Sequence, residues 1–399
     1  MRDISIQMPE KAENPALLAG LLKHVKTGTK SEARAGRISQ EQSQSLYLMR
    51  GFAITIVVMA HVTDWPLRFA FFSMPLFFFI SGYLFVPAKD LSAYFINITR
   101  KLMVPYFAFM AIIAAPNVTR LFVDVGAEAG WNQVGYLLLG GEQIKGIWAA
   151  YWYIPCFFFM HIAYTLCARK MSATAITWLC VPLWGLAIWN HFTPDFWLPL
   201  SINVVAMAFP IMHAGWLYRN REFSPEFDRS FHAFACVAGL AYTLPAAFDL
   251  LPGLQTKLAQ YGLPVITVFC GTMMVIVTKI VSDRLRVSRW LNLTLGELGK
   301  ASLIIMFAHQ AIQMSIVSVF DVHNEVFRVG VSILASYALF RAMKANRWAG
   351  IIFLGKPIRS AATGPRDKPS TAPSGALGRL NLNINTSLHD GMKDEPVRH

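Results

Sequence analysis

The apolar residues of this chain arrive in blocks of about twenty, the length that crosses a bilayer core about 30 Å thick. Polar and charged residues gather in the gaps between the blocks. The pattern predicts an all-α integral membrane protein, a bundle of ten spans at about 46–63, 69–87, 102–117, 149–168, 174–190, 199–218, 231–250, 262–281, 301–320 and 326–343. Residues 1–45 are polar and basic, the wrong layout for a cleaved signal peptide; a mostly disordered tail is expected, with a short helix around 15–25. Beyond the last block, residues 345–355 are apolar but too short to span and are expected to lie at the membrane interface. From 356 to 399 the chain is rich in Pro, Gly, Ser, Thr and Asn without apolar periodicity, the composition of a disordered tail. Three parts follow: a tail of 1–45, a ten-span domain of 46–343, and a segment of 344–399.

With 55% hydrophobic and only 15% charged residues, the chain is too apolar for a soluble domain of ordinary usage. Its net charge of +13 first suggests nucleic acid, but where the charge sits decides otherwise. Basic residues crowd the N-terminal tail and every second connection: Lys89, Arg100 and Lys101, then Arg169 and Lys170, then Arg219, Arg221 and Arg229, then Lys279 to Lys300. The opposite side offers only Arg68, Arg120, Lys145 and Lys257. That alternation places both termini in the cytoplasm and makes the basic charge a matter of topology, leaving no nucleic-acid partner. Trp131, Trp148, Trp152, Trp189 and Trp197 fall near outer ends, where interfacial aromatics belong. The one long outer connection, 117–147, carries Asp124, Glu128 and Glu142 and is placed to cover the mouth of a site. The five cysteines all lie in apolar stretches without CxxC or Cys/His spacing, so neither a disulfide framework nor a metal site is expected.

Chemistry concentrates in the first two blocks, Tyr47 to Phe85. The first contains Arg50 and His61, and an ionisable residue inside a span is costly enough, about 2.5–3.5 kcal/mol for a central Arg, to suggest function. Eleven residues at about 100° each make three turns plus about 20°, so both side chains share a helix face about 16 Å apart along the axis. A cation at one end of a face and a base at the other is the outline of a site. HExxH, GxSxG and P-loop motifs are missing from the sequence, which removes zinc hydrolase, serine hydrolase and NTPase readings.

Five motifs in order resemble acyltransferase family 3, whose members acylate sugars of bacterial surface and exported polysaccharides. Arg50-x10-His61 resembles the family's basic-x10-His signature, and FFFISGYLF with Ser81-Gly82 resembles its Phe-x-x-Ser-Gly element. Arg100-Lys101, followed by Pro105-Tyr106, opens the third span as the family's basic-Leu-x-x-Pro-Tyr segment does. Trp152-Tyr153-Ile154-Pro155 resembles its Trp-(Tyr/Phe)-Leu-Pro, and Leu298 to Gln310 its late Gly-x-x-Ser-Leu…His element. The chain departs from the pattern where many members have Arg-x-x-Arg, since Asn97 stands three before Arg100. Met306 or Phe307 stands where a tyrosine is common before the late histidine.

The resemblance implies an O-acyltransferase of the cell (inner) membrane, taking its group from acyl-CoA, with acetyl-CoA as the expected donor and a glycan as acceptor. No bound cofactor is expected, and the oligomeric state is left open. His61 is then the general base for the sugar hydroxyl, since neutral imidazole suits that task at pH 7. Arg50 binds the donor. Arg100 and Lys101 are either inner-end anchors or further donor ligands. Asp64 either orients the imidazole or caps the loop, and Ser81-Gly82 either lines the cavity or permits close helix contact. Trp152 and Tyr153 are interfacial packing or an acceptor platform, and His309 a cavity residue or a buried hydrogen bond. A Ser81–His61 nucleophile is disfavoured because Ser81 lies deep on the next helix. The alternative to an enzyme is a secondary transporter or flippase, against which stands the want of internal symmetry between halves.

Overall fold

The computed structural model describes residues 39–63 and 70–357, and its compact unit ends at Lys356. Asp64, Arg68, the helix expected around 15–25 and nearly all of both tails lie outside the described residues. Among the described residues the protein is all-helical, with one isolated bridge, Gln255 to Gln260, and no strand. Nine helices among the described residues are long and apolar enough to cross a membrane.

Helix α1 spans Gln40–Val62 and starts at a capping box, Ser39 accepting from the Gln42 amide while the Gln42 side chain accepts from the Ser39 amide. The second block behaves differently from expectation. It forms a 3-10 turn, Ala70–Phe72, and a helix α2 of only 11 residues, Ser73–Tyr83. At about 1.5 Å per residue α2 is about 16 Å long, too short to span. Every residue of it except Met74 is buried, so α2 is encased by neighbouring helices.

The third span is longer than expected. Helix α3, Leu91–Ile98, passes through a π turn at Thr99–Met103 into α4, Val104–Arg120, and through a second at Leu121–Val125. Pro116 sits inside α4 without ending it. A further helix α5, Ala127–Leu139, follows Gly126. The connection expected over 117–147 is therefore mostly helix, and only about 140–145 is irregular.

A 3-10 turn, Gly146–Trp152, leads into α6, Tyr153–Lys170. Helix α7, Ala173–Phe192, buries only Ile176, Ala187 and Asn190, and exposes Trp178, Val181 and Leu186 as a lipid-facing surface should. Helices α8 (Val205–Asn220), α9 (Pro225–Ala247) and α10 (Pro264–Leu285) follow. A π turn at Asn292–Gly296 opens α11, Glu297–Phe320; α12 (Glu325–Ala345) and the short amphipathic α13 (Arg347–Leu354) complete the unit.

Glycines set the two tightest crossings. A Cβ on Gly82 would stand 1.7 Å from the Met212 carbonyl oxygen, and one on Gly215 would stand 2.0 Å from that of Phe79. Helices α2 and α8 thus touch backbone to backbone. The same holds for α1 and the start of α11, where a Cβ on Gly51 would meet the Leu295 oxygen at 1.8 Å and one on Gly299 the Tyr47 oxygen at 2.0 Å. Small residues at such crossings let dispersion and Cα–H···O contacts hold helices that lipid alone would not drive together.

Candidate functional site

The crossing of α1 and α11 puts the two ionisable residues of the first span against one partner helix. The Arg50 guanidinium donates to Ser302 Oγ at 2.8 Å, and Tyr47 and Tyr153 lie close enough to act on its charge. His61 lies beside His309, ring centroids 5.2 Å apart with 40° between planes. Ser302 and His309 are seven residues apart on α11, two turns or about 10.5 Å. Arg50 and His61 therefore face a common strip.

His309 is fully buried, at 0% exposure. Its Nδ1–H donates to the Ile305 carbonyl at 2.7 Å, which fixes the neutral tautomer with Nε2 as the acceptor nitrogen. Nε2 is buried and has no hydrogen-bond partner among the described residues. A buried unmade acceptor costs about 1–3 kcal/mol, so a fold keeps one where something else uses it.

The remaining sequence candidates divide. Tyr153 sits at the head of α6, its ring 5.5 Å from Phe78 and 5.9 Å from Phe77, and its hydroxyl near Arg50. Trp152 packs edge-on to Tyr153 at 5.9 Å. Arg100 donates to the Asn97 carboxamide at 2.5 Å, so the residue that departs from the family pattern is the one that holds it. Its Nε is buried without a partner among the described residues. Lys101 lies under Gly355 just past α13, on a different pair of elements from Arg50. Gly82 is the α2–α8 contact described above, and Asp64 lies outside the described residues.

Ser81 pairs with a histidine of α6. Its Oγ is 2.5 Å from His161 Nε2, and the Tyr94 hydroxyl is 3.1 Å from His161 Nδ1. Phe157 stacks edge-on to the same imidazole at 4.7 Å, so Tyr153, Phe157 and His161 form one stripe at i, i+4, i+8 of α6.

Sequence reasoning also missed Lys257. It sits in a 3-10 turn, Thr256–Leu258, between α9 and α10, and its ammonium donates to the Ile144 carbonyl. Its charge reaches His61. Burial pushes Lys257 down to about 8, with Glu142 opposing the shift and Lys145 adding to it. Burial in turn raises the Glu142 carboxyl above its ordinary value. Nothing in the sequence marks this lysine, because its proximity to His61 comes from a loop nearly two hundred residues away (196 by subtraction of 61 from 257).

A helical bundle of this span content defines a multi-pass membrane protein, here with a half-buried cation and two histidines along one helix pair. The family model described as an acyltransferase domain, acyltransferase family 3, matches residues 43–343. The chain belongs to that family and is an acyltransferase. No curated protein and no solved structure matches it.

Proposed function

We propose that the protein is an integral-membrane O-acetyltransferase that moves acetyl from acetyl-CoA to a hydroxyl of an envelope or exported polysaccharide, or of its lipid-linked precursor. The observation that carries this reading is the alignment of Arg50 and His61 against Ser302 and His309 of one helix, within a family that transfers acyl groups. The distribution of basic residues among the connections supports a reading with the Arg50 end in the cytoplasm, where the donor is made.

Donor enters from that side, with Arg50 as its cationic ligand and Tyr153 on its path. His61 accepts the proton of the acceptor hydroxyl as the oxygen attacks the thioester carbonyl. The carbon–sulfur bond then breaks, and the departing sulfur takes the proton from the imidazolium. Neutral His61, free CoA and a new ester remain. Lys257 supplies positive charge for the oxyanion formed on the way. His309, held through Nδ1, packs beside the His61 ring and leaves its Nε2 as an acceptor.

Membrane vesicles given radiolabelled acetyl-CoA and the cells' own polysaccharide test the assignment. The His61→Ala protein should insert at wild-type levels and transfer no label. Label on polysaccharide in that variant would end the proposal.

A further inference from the structure

A cavity of about 520 Å³ adjoins the 140–145 connection, and none of Arg50, His61, Ser302 and His309 is among its lining residues. Two tryptophans, Trp131 and Trp197, Tyr136, and the carboxamides of Asn132 and Gln143 line it. Trp131 is 66% exposed, so the cavity opens to the surface. Two tryptophans, a tyrosine, Leu139 and two carboxamide residues thus share one open recess, whose volume is that of a small-molecule site.

The walls are held in place. The Tyr136 hydroxyl donates to the Gln143 carbonyl and accepts from the Lys145 amide at 2.9 Å. Leu200 and Ser201, both in the left-handed region with φ of 59° and 56°, pack on Gly140 and Gly141, which joins the Trp197 connection to the 140–145 segment. That segment leads directly to the reacting groups: Ile144 accepts from Lys257, whose charge reaches His61. The cavity and Lys257 thus meet the same short connection, through Gln143 and Ile144.

Its chemistry selects the occupant. A pyranose presents C–H bonds on its faces, which settle on the negative face of an indole ring, and hydroxyls on its rim, which need paired donors and acceptors such as carboxamides. The lining carries no carboxylate or ammonium, so a neutral ring is preferred over a charged headgroup. From this geometry we infer that the cavity is a docking subsite for a sugar unit of the acceptor glycan, placing a neighbouring unit at His61. The inference rests on the acyl-transfer reading for what happens next, but the subsite itself is a binding claim.

Gly135 offers a clean test, because a Cβ added there meets nothing within 4 Å and a larger side chain would fill the cavity without disturbing its walls. The full-length protein in nanodiscs is given polysaccharide from the envelope of cells that make it, stripped of acyl groups with mild alkali and tritium-labelled. Gly135→Leu should weaken binding at least tenfold, raise the acceptor KM by a similar factor, leave the KM for acetyl-CoA unchanged, and hold or raise the melting temperature. Trp197→Ala removes the opposite wall and should act in the same direction, so a fold defect in one variant does not decide the matter. Binding within twofold of wild type in both variants, or no binding by the wild type, overturns the subsite. Wild-type protein that binds the polysaccharide, loses it on Gly135→Leu, and yet transfers no acetyl would keep the subsite and refute the transferase reading.

Discussion

Replacing Gly82 by Ala tests whether α2 is held as tightly as its encasement implies. The new methyl carbon would lie 1.7 Å from the Met212 carbonyl oxygen, where ordinary contact begins at about 3.4 Å. Because the opposing atom is backbone, α2 and α8 must part by about 1.5 Å at the crossing. A radial gap of about 0.5–1 Å already forfeits a quarter to a half of the dispersion well at each contact, and buried Phe79, Tyr218 and Met212 line this seam. Overpacking of this kind costs about 3 kcal/mol, against a helix-propensity gain for Ala of about 1 kcal/mol. A net loss of about 2 kcal/mol corresponds to a fall in Tm of about 5 °C. Gly185 on α7 is the control, since a Cβ there meets nothing within 4 Å; Gly185→Ala should hold or raise Tm. Tryptophan-fluorescence melts of both variants in one detergent make the measurement. Equal melting temperatures for Gly82→Ala and the wild type would mean that the two helices do not touch through their backbones, and the account of α2 as an encased half-length helix would fall with them.

Four further outcomes follow from the site. Arg50→Ala removes a charged hydrogen bond to Ser302 worth about 1.5–3 kcal/mol and should raise the acetyl-CoA KM tenfold or more, with Ser302→Ala causing a smaller rise in the same constant. An unchanged donor KM would remove Arg50 from the donor path. His309→Gln, which keeps an acceptor in the strip, should lower kcat at saturating substrates by about tenfold and hold Tm, whereas His309→Ala should also lower Tm by leaving a void. Lys257 releases its proton at about 8 in the folded protein and near its ordinary 10.5 when unfolded. Between those values the unfolded chain holds the extra proton, so stability rises with pH there, while transfer should decline as pH passes about 8; Lys257→Arg should abolish that alkaline decline in a pH–rate profile. Ser81→Ala breaks the contact with His161 and should cost about 1 kcal/mol of stability with kcat kept within a few-fold; loss of all transfer would instead make Ser81 a nucleophile.

Much of this was legible because lipid imposes simple rules. Blocks of apolar residues report spans, and an arginine and a histidine eleven apart report a shared face whatever surrounds them. What the blocks do not report is whether a span faces lipid or protein. The stretch around Ser73–Tyr83 is as apolar as its neighbours, yet the structure gives it a helix of half the needed length, because burial on all sides frees its ends from reaching water. The glycines of 117–147 suggested a loop; α4 and α5 continue through most of it, with Pro116 absorbed and Gly126 serving as the break between helices. His161 reads as an isolated polar residue until Ser81 and Tyr94, from two other elements, are placed around it.

The eleven-residue spacing also carries a correction that reveals what Arg50 does. Backbone rise alone separates Arg50 from His61 by about 16 Å, but their partners on α11 are only about 10.5 Å apart. Gly299 packs against Tyr47 and Gly51 at the base of the pair, so Ser302 stands about one turn, three residues or 4.5 Å, beyond the level of the Arg50 backbone. The difference is the reach of an arginine side chain directed toward His61. An interfacial anchor would send its guanidinium the other way, to the headgroups. The half-buried Arg50 extends inward, to a hydroxyl and two tyrosines, and in the proposed reaction its distance to the histidine pair is the length over which the donor is laid out.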